Sequence, residues 1–291
     1  MFVATLTAAP ARADLTEAAL AALVRAWDAG PPVWLAPGVA ADLPLETRPA
    51  DLAERRAEFA EAGVDLNVLP AAGRRKRLLL ADMDSTMIGQ ECIDELADLA
   101  GVGARVKEIT ARAMAGELDF EGALRERVAL LAGLDSGVVD QVIAERISFT
   151  PGGRTLVATM KAHGARAALV SGGFTGFTAH VAGALGFDEH RANRLLAEDG
   201  KLTGRVAEPI LGRDAKVGAL REITAAMGAA PEEAIAVGDG ANDLGMLDLA
   251  GIGVALHAKP AVAAAADARV DHGDLTAVLY LQGYAAADFV S

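Results

Sequence analysis

At 291 residues, 52% of them hydrophobic and 23% charged, the chain is long enough for one large α/β domain and a smaller one. A formal net charge of −13 argues against nucleic acid or an anionic membrane surface as partner. The lone cysteine, Cys92, excludes an internal disulfide and fits a reducing, cytoplasmic compartment, where a single thiol serves as packing. In chain order, Met1–Ala13 lacks the basic start of a secretory leader, and Arg12 breaks its apolar run. Phe2–Leu6 reads as a strand, Leu15–Ala29 as a helix, Val33–Leu35 as a strand, Leu52–Ala62 as a helix and Val64–Leu69 as a strand. This β-α-β-α-β run over residues 1–73 suggests a small ferredoxin-like α/β sandwich. It carries no convergent set of chemical residues, and the basic segment Gly73–Arg77 joins it to residues 74–291.

Leu78–Thr86 then runs Leu-Leu-Leu-Ala-Asp-Met-Asp-Ser-Thr, an apolar stretch that stops at two aspartates. Such a run reads as a buried parallel strand, and open α/β sheets bind ligands beyond the carboxyl ends of their strands. Residues two apart in extended chain point the same way, so Asp82 and Asp84 can share one cleft. A capped strand-to-helix turn would use the same residue types. A calcium loop would not, because its sixth and twelfth positions hold Met87 and Ile93 instead of Gly and a carboxylate. From Gly89 to Ile147 the pattern is helical, clearest in Cys92–Ala100, Ala104–Ala115 and Phe120–Leu131, with Asp119 as N-cap of the last.

After Pro151 the alternation resumes with helix Arg154–His163, strand Ala165–Val170 and helix Thr175–Leu185. An Asp199-Gly200 turn between Asn193–Ala197 and Lys201–Arg205 reads as a hairpin. Helix Ala215–Met227, strand Ala234–Val237, helix Asp243–Ala250, strand Gly253–Leu256, helix Ala261–Ala266 and strand Ala268–Val270 complete the series. The Ala-rich Leu256–Ala266 contains His257, Lys259 and Pro260, so it is no membrane span. The expected class is α/β, a doubly wound parallel sheet with a helical cap, about residues 89–148, inserted after its first strand. The five histidines are scattered without zinc-ligand spacing.

Three more segments stand near strand ends or helix starts. Ser171-Gly172-Gly173 offers a hydroxyl and backbone amides before a helix, a pattern that can cradle phosphate. In Gly238-Asp239-Gly240-Ala241-Asn242-Asp243, two carboxylates bracket an amide, a hard-oxygen set suited to Mg²⁺. Lys216, 23 residues before Asp239, could hold a transferring phosphoryl group as a point charge. Together these segments resemble the haloacid dehalogenase superfamily of phosphatases. Its motifs match Asp82-x-Asp84-x-Thr86, Ser171-Gly172, Lys216 and Gly238-Asp239-Gly240-x-Asn242-Asp243, within roughly Leu78–Val270.

A narrower similarity, to the phosphoserine phosphatases, rests on Asp82–Thr86 with Glu91 seven residues past Asp84, on Phe120-Glu121 and Leu124–Val128, and on Val170–Phe174 and Ala192–Leu195. That resemblance implies Glu91 for the substrate ammonium, Arg127 for its carboxylate and Phe120 as a shield. An amino acid offers one cation and one planar anion, which a carboxylate and a guanidinium complement. Arg125 lies close by, but residues two apart on a helix face different ways.

The implied chemistry is Mg²⁺-dependent hydrolysis of O-phospho-L-serine, as in serine biosynthesis, through an aspartyl phosphate. Asp82 is the nucleophile, Asp84 the acid and base, and Asp82, Asp239 and the Asp84 carbonyl the metal ligands. Ser171, Gly172 and Lys216 bind the phosphoryl oxygens. Asn242 joins the substrate contacts and, with Asp243 and Gly240, steadies the loop. Other open readings are another phosphomonoester, phosphoryl transfer to an alcohol such as homoserine, and a non-catalytic amino-acid sensor. Residues 1–73 look like an ACT-like extension, for which serine binding, homodimerisation and a purely structural role all stay open.

Overall fold

A computed structural model describes residues 1–114 and 117–290. Its first unit comprises β1 (Phe2–Ala8), α1 (Glu17–Trp27), β2 (Val33–Ala36), β3 (Ala40–Leu45), α2 (Leu52–Glu61) and β4 (Val64–Pro70). The strands form an antiparallel sheet ordered β2-β3-β1-β4, which is the ferredoxin-like arrangement. It contains one strand more than the expected β-α-β-α-β. Ala40–Leu45 carries Asp42 and Pro44, poor strand formers, and pairing with β1 overrides that local preference. Asp42 is tolerated in the sheet because the Thr5 hydroxyl donates to its Oδ1 at 2.7 Å and Arg74 pairs with its other oxygen. Helix α1 starts at the Thr16 cap, whose hydroxyl accepts from Ala19 N, and stops at Asp28 in the left-handed region. It buries Leu20 and Leu23 against Leu6, Leu43 and Leu66.

The second sheet has six parallel strands: β5 (Leu78–Ala81), β6 (Arg166–Phe174), β7 (Glu189–Asn193), β10 (Ala234–Gly238), β11 (Ile252–Leu256) and β12 (Ala268–Val270). Their order, β12-β11-β10-β5-β6-β7, is doubly wound. The continuous apolar run of β5 follows from burial on both faces. Leu79 and Ala81 face the layer of α7 (Gly153–Ala162), α8 (Thr175–Leu185) and α12 (Ala277–Leu281). Leu78 and Leu80 face α9 (Arg213–Ala226), α10 (Leu244–Leu249) and α11 (Pro260–Ala265). Strand order reverses between β5 and β10, the place where open α/β sheets bind ligands past their strand ends.

Between β5 and α7 lie α3 (Cys92–Leu99), α4 (Gly103–Met114), α5 (Phe120–Ala129) and α6 (Val138–Arg146). Of the expected helix Ala104–Ala115, Ala115 lies outside the described residues. Helix α6 buries only Val142 fully and so shows little apolar periodicity. The chain leaves and re-enters the core side by side. Ile88 bridges Phe149, Gly89 N donates to Ser148 O at 3.0 Å, and Thr150 N donates to Met87 O at 3.0 Å.

The hairpin is β8 (Leu195–Glu198) and β9 (Lys201–Val206), turning at Asp199 and Gly200 with φ of 49° and 76°. Two successive left-handed residues match the right-handed twist of the flanking strands. Its first strand begins two residues later than Asn193–Ala197 predicts, because Asn193 instead ends β7 and pairs with Phe174. Charged Glu189 and Arg191 and the exposed His190 disguise β7 as a loop, and it is an edge strand of the sheet. The opposite edge, β12, is covered by β4 of the first sheet. Asn67 donates to Arg269 O at 2.8 Å and accepts from Arg269 N at 2.9 Å, while Asp65 accepts from the amides of Asp271, His272 and Gly273. Among the described residues no helix is long and apolar enough to cross a membrane.

Candidate active site

Asp82 follows β5 directly and its amide donates to Val237 O of β10 at 3.0 Å, so it stands at the strand-order reversal. It is 4% exposed. Its Oδ1 accepts from Met83 N at 2.8 Å and lies 2.7 Å from Lys216 Nζ. Lys216 is in the first turn of α9, and the same Nζ lies 2.5 Å from Asp243 Oδ1. Burial pulls the Lys216 ammonium down, but the two carboxylates outweigh it and hold it above its ordinary value. Burial drives Asp82 well above the usual carboxylate range, against the opposing pull of Lys216.

The second oxygen of Asp243 accepts from Asp239 N at 3.2 Å and Gly240 N at 3.0 Å, so this carboxylate is fully spent on the loop and the lysine. Gly238 lets it come that close, since a Cβ there would lie 2.6 Å from Asp243 Oδ2. The Asn242 side chain folds back over Gly240. Asp239 accepts from the buried Thr86 hydroxyl at 3.1 Å and is raised to about 6 by burial, Asp243 and Glu91.

Carboxylate oxygens of Asp82, Asp239 and Asp243 lie within 4.8 Å of one another. Three carboxylates against the one Lys216 ammonium leave a formal −2 in a buried place, which a divalent cation would balance. Among the described residues Oδ2 of Asp82 makes no hydrogen bond or ion pair. Hard oxygens of this kind suit Mg²⁺. Asp243 is committed elsewhere, so Asp82 and Asp239 are the side chains left to hold such an ion.

Asp84 lies at the same strand ends, two residues beyond Asp82. Its Oδ1 accepts from Cys92 N at 3.4 Å, and its Oδ2 lies 2.8 Å from where a Gly173 Cβ would be. Burial and then Glu91 raise it to about 7, the range in which a carboxyl can both give and take a proton. Ser171 is buried at the end of β6 and its Oγ accepts from Gly173 N at 2.9 Å.

From the inserted helices, Phe120 at the start of α5 rests on Gly172 near the end of β6, where a Cβ would lie 3.1 Å from its Cζ. Glu91 stands at the N-cap position of α3 without a side-chain capping bond, is exposed, and accepts from the Ser85 hydroxyl at 2.7 Å. Arg125 is spent in exposed ion pairs with Glu121 at 2.9 Å and Glu208 at 3.0 Å. Arg127, two residues on, is half-buried, and only its Nε is bonded, to Ala123 O at 3.2 Å, among the described residues. Burial pulls its guanidinium down, while Asp94, Glu91 and Asp84 pull it back up. Two residues with no assigned role in the sequence, Asn193 and Gly212, border the site. Asn193 donates to Gly172 O at 2.8 Å, and a Gly212 Cβ would lie 3.2 Å from Phe120 Cδ1.

The family model described as haloacid dehalogenase-like hydrolase matches residues 79–248. A phosphoserine phosphatase of Streptomyces coelicolor is 48% identical over 241 residues, covering 82% of this chain and 58% of that protein. The chain thus spans little more than half the length of that relative. One from Albidiferax ferrireducens is 48% identical over 211 residues, 70% of this chain and 89% of that protein. The crystal structure of a probable phosphoserine phosphatase from Vibrio cholerae superposes with a TM-score of 0.81 at 32% identity, over 99% of this chain and 88% of that one.

Proposed function

This chain belongs to the haloacid dehalogenase-like hydrolase family, and from that premise we propose that it hydrolyses O-phospho-L-serine to serine and phosphate. The observation that carries the substrate is Arg127, a half-buried guanidinium with its terminal nitrogens uncommitted among the described residues, on the helix whose Phe120 covers Gly172. A planar cation kept from protein carboxylates is a receptor for a ligand carboxylate. Glu91 supplies the opposite charge for the ligand ammonium. The names of the relatives support the same substrate.

Asp82 attacks phosphorus in line, forming an aspartyl phosphate as the bond from phosphorus to the seryl oxygen breaks. Asp84 gives its proton to that oxygen, then accepts one from the water that attacks the aspartyl phosphate, so Asp82 is restored and phosphate leaves. Lys216 has three N–H donors; Asp82 and Asp243 take two, and the third serves a phosphoryl oxygen. Ser171 and the Gly172 amide hold the remaining oxygens, and Asn242 flanks them. Asp82, Asp239 and the Asp84 carbonyl would hold a Mg²⁺, which would supply charge neutralisation for carboxylate and phosphate. Phe120 and the helices around it exclude water while the seryl group departs.

The test is phosphate release from O-phospho-L-serine with Mg²⁺ and with chelator, beside phosphothreonine, a sugar phosphate and an aryl phosphate, with Asp82→Asn as blank. A Mg²⁺-dependent preference for phosphoserine is expected. Turnover of the aryl phosphate alone would remove the substrate, and no turnover of any ester would remove the hydrolase.

A further inference from the structure

Asn193 is 2% exposed at the end of β7, and every polar atom of its amide is used. Its Nδ2 donates to Gly172 O at 2.8 Å and Leu211 O at 3.2 Å, and its Oδ1 accepts from Leu211 N at 2.7 Å. One side chain therefore ties the end of β6 to the segment leading into α9 and Lys216. The tie falls where the ladder between β6 and β7 breaks, its register shifting between Val170 and Phe174. An irregularity of this kind leaves backbone groups without ladder partners, and Asn193 takes up the Gly172 carbonyl.

The consequence runs through the peptide plane. The carbonyl of Gly172 and the amide of Gly173 belong to one planar trans unit and point in opposite directions. With the carbonyl held by Asn193, the Gly173 N–H is aimed at Ser171 Oγ, which it meets at 2.9 Å. On the other side, the Asn193 bonds to Leu211 hold the chain beside Gly212. Gly172 and Gly212 together seat the Phe120 ring, as Cβ atoms there would lie 3.1 Å and 3.2 Å from it.

We propose that Asn193 is a positioning residue: through the Gly172–Gly173 peptide it orients the Ser171 hydroxyl for an anion, and through Leu211 it sets the seat on which Phe120 closes. This rests on the phosphatase reading for its substrate, and on geometry alone for the anion. Asn193→Ala removes all three bonds. Asn193→Asp is nearly isosteric, keeps the acceptor for Leu211 N and loses both donors.

The experiment measures kcat and KM on an aryl phosphate, which lacks the groups Glu91 and Arg127 would bind, and calorimetric affinity for inorganic phosphate in Mg²⁺ buffer. Both variants are measured with circular dichroism and melting curves, and Asn193→Ala also in a double-mutant cycle with Ser171→Ala. A misplaced anion contact predicts a fall of about 10- to 100-fold in kcat/KM, weaker phosphate binding, and losses that fail to add to those of Ser171→Ala. Folded variants with wild-type phosphate affinity and turnover, or losses fully additive with Ser171→Ala, would overturn the proposal. Should Asn193→Ala fail to fold, Asn193→Asp decides by the same two readouts. A wild-type chain that hydrolyses no ester yet binds phosphate in an Asn193-dependent way would sink the hydrolase reading and leave the positioning role standing.

Discussion

Replacing Arg127 by Ala separates the substrate from the chemistry. In the structure the guanidinium spends only Nε on protein, at 3.2 Å from Ala123 O, and burial has already drawn it below its ordinary value. Its desolvation is thus borne on folding, and an incoming carboxylate meets a donor already stripped of part of its water. Two charge-assisted bonds would bring about 1.5–3 kcal/mol each before the ligand's own desolvation is subtracted. A net loss of about 2–3 kcal/mol on truncation corresponds to about 30- to 150-fold in kcat/KM. The fall should appear for O-phospho-L-serine and be within about threefold for an aryl phosphate, which has no carboxylate to lose. Arg127→Lys should recover part of it, because charge returns without the planar fork. Since no carboxylate lies in ion-pair contact with Arg127 among the described residues, the melting temperature should stay close to wild type. The assay is steady-state phosphate release for both substrates on the three proteins. Equal losses on the two substrates would refute the carboxylate role, and a melting temperature lowered in proportion would point to packing.

Asp82→Asn should abolish turnover and any trapped phosphoenzyme under acid quench; a purified variant that still turns over would refute the nucleophile. Gly238→Ala should cost about 1–3 kcal/mol by urea unfolding and lower activity with it, because the new Cβ displaces the Asp243 carboxylate that holds Lys216 and the Asp239 amide; an unchanged midpoint would show that the loop yields freely. Asp65→Ala strips a buried acceptor from three backbone amides and should cost about 3 kcal/mol while leaving aryl phosphate turnover intact, and a loss below about 0.5 kcal/mol would mean that water replaces it.

Much of the larger sheet was legible because its signals are local. Four apolar residues at Leu78–Ala81 need burial on two faces wherever they sit, and polar Asp82 and Asp239 mark where β5 and β10 stop, whereas β6 runs on past the expected Val170 to Phe174. Helix Thr175–Leu185 and strand Ala268–Val270 have the extents their patterns predict. Asp82 and Asp239 meet because neighbouring parallel strands deliver their carboxyl ends to one side, where the first turn of α9 brings Lys216 and the start of α10 brings Asp243. The strand Ala40–Leu45 was not legible, since Asp42 and Pro44 hide it and one of its two partners is β1, far earlier in the chain. Edge strand β7 was hidden by its charges for a similar reason.

The sequence by itself determined the class of the larger sheet, the succession of its elements and the residue types at its strand ends, because periodicity, caps and turn residues act over a few neighbours. Tertiary structure alone decided which of Arg125 and Arg127 keeps a free guanidinium face, since Glu208 reaches Arg125 from 83 residues away. It likewise decided that Asn193 leaves the hairpin to tie the end of β6 to the segment before α9, and that β4 covers the edge of β12. Those choices depend on groups brought together only by the packed chain, where a buried polar atom must find its partner or lose its solvation uncompensated.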